Sequence, residues 1–220
     1  MIITYLGHSA FEIQSGRSRI LLDPFLVRSP QFDTSGTTDI LVTHGHQDHL
    51  GSAIEIAKNT GAPITAVHEL AHYCSDQGAK ATGMNVGGWV SYDWGRACAV
   101  PAAHSSSTPD GAYAGCPVGF ILELEGKTLY YAGDTGLMSD MIMIGDVYQP
   151  EIAFLPVGGH YTMGIDHAPI AAEWLGAQTV IPMHYNTFPS IEVDIDDFVE
   201  AIHTVEKTPL VLEIGGTYEL

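Results

Sequence analysis

The sequence predicts an α/β fold in which two packed β-sheets carry helices on their outer faces. Three observations lead there. Short β-rich runs dominate the first forty-odd residues, strand and helix patterns alternate from Gly51 onward, and the same β-then-βα order returns in the second half.

Taken in order, Ile2 to Leu6, Ala10 to Gln14, Arg19 to Leu22 and Asp39 to Thr43 are β-rich and separated by Gly, Ser and Pro, which predicts antiparallel strands. After Gly51, SAIEIAKNT reads as a helix, PITAV as a strand and HELAHYCSDQG as a second helix closed by Gly78. A glycine-rich loop from Met84 to Gly88 leads into the run Arg96 to Ala103, and HSSSTPDGAYAGCP predicts a surface loop. VGFILELEGKTLYYAGD predicts a hairpin turning at Glu125-Gly126-Lys127, because both flanks are β-branched or aromatic and the turn is polar. Ile152 to Pro156 then reads as a buried strand, Asp166 to Leu175 as a helix and Thr179 to Met183 as a strand. Asp194 to Thr204 follows as a helix, and Leu210 to Ile214 as the last strand. No low-complexity linker divides the halves, so residues 1–220 are expected to form one domain.

Composition narrows the function. Twenty-six acidic side chains against 8 basic ones give a formal charge of -18, and the 11 histidines outnumber lysine and arginine together. Such a surface repels phosphate backbones and anionic membranes, so neither nucleic acid nor membrane is an expected partner. The opening MIITYLGHSAFEI has no basic leader and reads as a strand, so no signal peptide is expected, and no apolar run reaches membrane-spanning length. Three cysteines, Cys74, Cys98 and Cys116, form no CxxC pair and suit a reducing cytoplasm.

The chemistry centres on Thr43-His44-Gly45-His46-Gln47-Asp48-His49, placed where a strand ends and a helix is about to begin. Alternate strand residues share a side, so His44 and His46 can present imidazoles to one metal ion, while Asp48 and His49, past the turn, can serve a second ion nearby. For this composition the pattern HxHxDH is expected by chance about 0.002 times. A helix cap explains Asp48 but not three histidines. His68-Glu69-Leu70-Ala71-His72 is a literal HExxH, the zinc-peptidase signature, with a chance expectation of about 0.03. No persuasive third ligand follows it, so it reads better as an exposed amphipathic helix than as a peptidase site. His104, Asp134 and His184 each close an apolar run, where catalytic groups of layered α/β folds sit.

HGHQDH followed by AAHSS, YAGDT and PMHYNTFP resembles the metallo-β-lactamase superfamily in order and spacing. More narrowly, LGHSAFEI, ILLDPFL, GDTGLMSDM, GGHYTMG and IPMHYNTFP look like a family of metal-dependent hydrolases related to the L-ascorbate-6-phosphate lactonases, and the likeness spans most of the chain. The resemblance implies a four-layer αββα sandwich of two mixed sheets with helices on the outer faces. It further implies two divalent ions, zinc by preference with manganese or iron as alternatives. The first would be held by His44, His46 and His104, the second by Asp48, His49 and His184, and Asp134 would bridge them. Two ions roughly 3.5–4 Å apart would activate a shared hydroxide, which Asp48 helps to orient.

Around that centre, His8 matches a position near the metals in the lactonase-like relatives, where it could contact substrate or protonate a leaving group. Asp23 is expected to accept the second ring N–H of a ligand histidine. His160, on the loop after Ile152 to Pro156, could reach the open side as a general acid or a substrate clamp, and Tyr185 and Asn186 flank the last ligand. Asp166-His167 departs from the family pattern, and His203 is expected on a solvated helix.

The function these readings favour is hydrolysis of a small ester, lactone or phosphodiester, with a small molecule as the partner and homo-oligomerisation left open. A non-catalytic metal-binding or ligand-sensing module on the same fold is the alternative, and a ribonuclease Z-like phosphodiesterase is disfavoured by the acidity.

Overall fold

The structure, a computed structural model, describes residues 1–220. Its first sheet is built from β1 (Ile2–Gly7), β2 (Ala10–Ser15), β3 (Ser18–Leu22), β4 (Asp39–Leu41), β5 (Ile64–Val67) and β6 (Ala81–Met84). The second contains β7 (Trp89–Tyr92), β8 (Gly95–Pro101), β9 (Val118–Leu124), β10 (Lys127–Tyr131), β11 (Ile152–Pro156), β12 (Thr179–Met183) and β13 (Thr208–Pro209). A last strand, β14 (Thr217–Glu219), returns to the first sheet and pairs with β1. The helices are α1 (Gln47–Leu50), α2 (Ala53–Thr60), α3 (His68–Asp76), α4 (Asp140–Tyr148), α5 (Ala168–Leu175) and α6 (Ile195–His203).

Both sheets have seven strands, ordered β14-β1-β2-β3-β4-β5-β6 and β13-β12-β11-β10-β9-β8-β7. Each is antiparallel on one side and parallel on the other, the parallel part lying, except between β3 and β4, where helices connect the strands. This is the doubled β-then-βα order expected from the sequence, laid out as an αββα sandwich.

Strand alternation explains the layering. Ile20 and Leu22 join the core between the sheets, whereas Leu21 faces the smaller core under α2 and α3. Both faces of β3 are buried, so it reads as an unbroken apolar run. On the far side, α5 buries Ala168, Ala171, Ala172 and Leu175, one helical stripe whose small residues let it lie close to the second sheet. At the β9–β10 hairpin, Leu124 pairs with Lys127, and Glu125 and Gly126 take φ of 52° and 76°. A two-residue turn with both φ positive matches the twist of the strands it joins.

Several expectations are corrected. Of the first four strands only β1 to β3 run antiparallel to one another; β4 lies parallel to β3, because the chain between them crosses over through residues 23–38. Leu210 to Ile214 is not a strand: after one more bond from the Leu210 N–H to the Val180 carbonyl at 2.8 Å the pairing with β12 ends, and the half-exposed segment crosses to the first sheet, where the Gly215 N–H donates to the Tyr5 carbonyl at 2.7 Å. The glycine-rich loop is present at residues 85–88, but the strands that flank it, β6 ending at Met84 and β7 starting at Trp89, are not among those the sequence predicts. Helix α5 starts at Ala168, not Asp166, and α4 forms from an apolar run with no clear period. No helix is long and apolar enough to cross a membrane.

Candidate metal centre

The site lies at one rim of the sandwich, where strands of both sheets end. His8 follows β1, Asp23 follows β3, His44 to His49 follow β4, His104 follows β8, Asp134 follows β10 and His184 follows β12. A strand end stops the backbone ladder while leaving the following residue fixed by it, so side chains from distant parts of the chain meet with little freedom. The ladder of β4 stops at Leu41, two residues earlier than the sequence suggests, yet His44 and His46 still share a side, with Nε2 of one 3.0 Å from Nδ1 of the other.

Backbone geometry sharpens the picture. His8, Asp23, His160 and His184 have φ of 57°, 41°, 47° and 56°, left-handed conformations that cost a non-glycine residue about 1–2 kcal/mol each. The backbone N–H of His184 donates to the His8 carbonyl at 2.9 Å, so two of these turns are tied together. Two glycines allow close approach. A Cβ on Gly45 would stand 2.6 Å from the Ala114 methyl, which lets the loop after β8 press on the histidine turn. A Cβ on Gly133, at φ 59°, would meet Thr43 at 2.8 Å, so Asp134 can enter beside His44 only because residue 133 has no side chain.

Asp23 organises the buried end. Its Oδ1 accepts the Thr43 backbone N–H at 2.8 Å, and its Oδ2 accepts the Thr43 hydroxyl at 2.7 Å and His49 Nδ1–H at 2.8 Å. The Tyr131 hydroxyl lies 3.0 Å from the same oxygen. Thr43 has one hydroxyl hydrogen, committed to Asp23, so its oxygen accepts from His44 Nδ1 at 3.0 Å. Both histidines thus hold a proton on Nδ1 and direct Nε2 away from Asp23. His49 Nε2 then stands 3.2 Å from Asp134 Oδ1 without hydrogen-bond geometry, and both atoms are buried and unpartnered.

Asp134 stands at the centre. Its Oδ2 is 3.0 Å from His184 Nε2 and 3.5 Å from His104 Nε2. His8 Nε2 is 3.2 Å from Asp48 Oδ2, and His184 Nε2 lies 3.8 Å from that oxygen. Three sets of side chains converge closely enough to hold a cation: His44, His46 and His104; His44, His49 and Asp134; and His8, Asp48, His49 and His184.

The protonation states follow from burial and charge. Burial, reinforced by His49, keeps His44 well below the ordinary histidine range, and burial likewise lowers His46 and His104. Burial brings His8 down to about 4 although Asp48 works against it. For Asp134 burial favours the neutral acid, but His49 and His184 outweigh it and hold the carboxyl well below its usual range. Burial also opposes ionisation of Asp48, and the contact with His8 together with His49 overcomes it. His49 runs the other way: Asp134 and Asp23 outweigh its burial and raise it far above its usual value, so without a metal its own imidazole carries the positive charge that these two carboxylates call for. Buried atoms without partners cost about 1–3 kcal/mol each. Neutral imidazoles, ionised carboxylates and orphaned lone pairs fit a metal, which relieves that cost with the ligand types zinc, manganese or iron accept.

The cluster floors a cavity of about 590 Å³, with His46, Asp48, His104, Asp134 and His184 at its base and Ser105, Tyr161, Phe188 and Ser190 completing its lining. His160 is not brought there. It is exposed, its ring packs edge-on against Tyr161 at 4.4 Å, and the neighbouring tyrosine lines the cavity instead. Tyr185 and Asn186 line a separate cavity behind His8, together with Arg28 and the segment Val211 to Ile214. The HExxH motif is solvent-facing: His68, Glu69 and His72 are exposed, and His72 pairs with Asp76 at 3.1 Å. His167 and His203 are also exposed.

Four residues escaped the sequence reading. Thr43 transmits Asp23 to His44, and the Thr187 hydroxyl lies 3.0 Å from His8 Nδ1. Phe188 and Tyr161 form the apolar lining. Thr43 directly precedes the histidine motif and Phe188 closes PMHYNTFP, so adjacency is the signal that was there to use.

Comparison with known proteins agrees with this geometry. The β-lactamase superfamily domain matches residues 2–184. A UPF0173 metal-dependent hydrolase of Methanocaldococcus jannaschii is 43% identical, with 100% of both chains covered. One from Methanosphaera stadtmanae is 48% identical over 92% of this chain and 91% of its own. Among solved structures, a metallo hydrolase from the archaeon Ignicoccus hospitalis superposes with a TM-score of 0.89 at 37% identity, covering 100% of this chain and 98% of that one. The chain belongs to the β-lactamase superfamily and, within it, to the UPF0173 metal-dependent hydrolases.

Proposed function

We propose that this metal-dependent hydrolase cleaves a small ester, lactone or phosphodiester at a two-ion centre. His44, His46 and His104 would hold one ion, Asp48, His49 and His184 the other, and Asp134 would serve both. The observation that carries this reading is the position of Asp134: one carboxylate reaches His104 of the first set and both His49 and His184 of the second, at the floor of an open cavity. Divalent ions at such a site supply Lewis acidity, bringing the pKa of water towards neutrality and polarising a carbonyl or phosphoryl oxygen.

The chain's own groups do the rest. Asp23 fixes the Nδ1 proton on His49 and, through Thr43, on His44, so both Nε2 atoms stay free to bind. Asp48 remains ionised at neutral pH and lies in the cavity, placed to accept a proton from attacking water. His8, bound between Thr187 and Asp48, holds that carboxylate in position. No lysine or arginine lines the cavity, which argues against a nucleic-acid phosphodiesterase.

Metal analysis with a substrate panel tests the proposal. The purified protein should hold about two divalent ions per chain, and the reloaded protein should hydrolyse at least one aryl ester, lactone or phosphodiester far faster than the metal-free form. Metal retention with no turnover above the metal-free background would establish the binding-module reading instead, and one ion per chain would refute the paired centre.

A further inference from the structure

We infer that the substrate has an uncharged, apolar or aromatic arm that rests against Tyr161 and Phe188, an inference that builds on the hydrolase reading above. The cavity divides into two chemistries. Its base is made of imidazoles and carboxylates, while the rest consists of two aromatic rings and the hydroxyl-bearing Ser105 and Ser190. A charged arm, such as a phosphate or carboxylate remote from the scissile bond, is ordinarily met by the forked guanidinium of arginine or by lysine. None of the 8 lysines and arginines lines this cavity. Arg19, Arg96 and Lys127 are paired with Glu12, Glu123 and Glu151, and Arg28 lines the separate cavity behind His8.

The aromatic side is exposed, and its Phe188 is held in place. Tyr161 and Phe188 retain 57% and 39% of their accessible surface, although large rings gain from burial. Phe188 is backed by His8 and Phe25, with ring centroids 5.5 and 6.4 Å away. Its loop is pinned by Asn186, whose side chain accepts from the Val193 N–H at 2.7 Å and donates to the Val193 carbonyl at 3.1 Å. Tyr161 is the freer of the two, since the ring packed edge-on against it is that of its exposed neighbour His160. A supported Phe188 beside an exposed Tyr161 forms an apolar seat that is preorganised on the phenylalanine side, which favours a neutral arm at small ordering cost.

Two esters with the same scissile bond test the inference: 2-naphthyl acetate and its 6-sulfo derivative, whose charge sits at the far end of the arm. The neutral ester should have kcat/KM at least about tenfold higher, and Phe188→Ala should raise its KM about tenfold with a much smaller change in kcat and no change in metal content. Equal or faster cleavage of the sulfonated ester, or an unchanged KM in Phe188→Ala, would overturn the inference. Fluorescence titration of 2-naphthol into metal-free protein reads the seat without chemistry. Binding that weakens in both Phe188→Ala and Tyr161→Ala supports it, whereas no binding, or binding indifferent to both substitutions, refutes it. Naphthol binding of the expected kind with no ester cleavage would count against the ester-hydrolase reading and leave the seat standing.

Discussion

Two histidine motifs about twenty residues apart in this chain behave in opposite ways. In the segment 44–49, His44 and His49 are fully buried and their rings converge with His46, His104 and His184 around Asp134. In the segment 68–72, the motif lies along α3, its histidines face water, and the His72 side chain keeps 69% of its surface exposed. Residue type is the same, so context makes the difference. The first motif follows β4 at the rim where five other segments arrive; the second opens a helix whose buried stripe is Leu70, Ala71 and Cys74. A helix can place two ligands on one face, but without a third group facing it that face remains solvated.

The comparison breaks most sharply at the shared carboxylate. Asp134→Ala should remove metal from both positions and lower turnover by about a thousandfold or more, read by metal content and kcat/KM. His46→Ala should cost the first position while leaving the Asp23–His49 pairing intact, so partial metal retention with strongly reduced turnover is expected. Unchanged metal content and turnover in either variant would dismiss the assignment.

A smaller effect is expected one contact farther out. Asp23→Asn replaces an acceptor of three hydrogen bonds by a group that can offer a hydrogen to His49 or Thr43, so the Nδ1 protonation that frees the two Nε2 atoms is no longer enforced. Metal affinity should fall about 10–100-fold, measured by competition with a chelator, while the fold is retained. Wild-type affinity in this variant would show that Asp23 acts on stability alone.

The same contrast shows what the sequence could disclose. His104, Asp134 and His184 were legible because each ends an apolar run, and an apolar run that stops is a strand end whatever its partner. The partner itself is a long-range property, so the parallel pairing of β3 with β4 and the crossing of Leu210 to Ile214 to the other sheet were not legible. His160 was named where Tyr161 lines the cavity, because one residue of rotation in a glycine-rich turn is invisible to pattern. The link from Thr187 to His8 spans 179 positions and leaves no local trace.

Within α3 the inward and outward faces should respond to different conditions. Burial pushes the Cys74 thiol up to about 12, whereas an unfolded cysteine ionises near 9. Protons stay on the folded thiol while the unfolded one loses its own, so this contribution is fully present below pH 9 and is lost as pH rises from there through about 12. The loss should be on the order of 2–4 kcal/mol, measured by denaturant unfolding across that window, and Cys74→Ala should flatten the slope even if it lowers stability at neutral pH. An unaltered slope in that variant would assign the alkaline loss to other groups, the buried tyrosines first among them.

The outward face of α3 should give the smallest effect. The pair His72–Asp76 joins side chains that are 69% and 66% exposed, and such pairs contribute about 0–1 kcal/mol because water already solvates both partners. His68→Ala combined with His72→Ala should therefore leave metal content unchanged, kcat/KM within about twofold and stability within about 0.5 kcal/mol. Loss of metal or turnover on the scale expected for Asp134→Ala would move the centre of the chemistry onto α3. Retention is expected because α3 supplies no convergent third ligand: the buried residues on its other face are Leu70, Ala71 and Cys74, packed under the first sheet, and every set of side chains able to hold a cation is drawn from the strand-end rim.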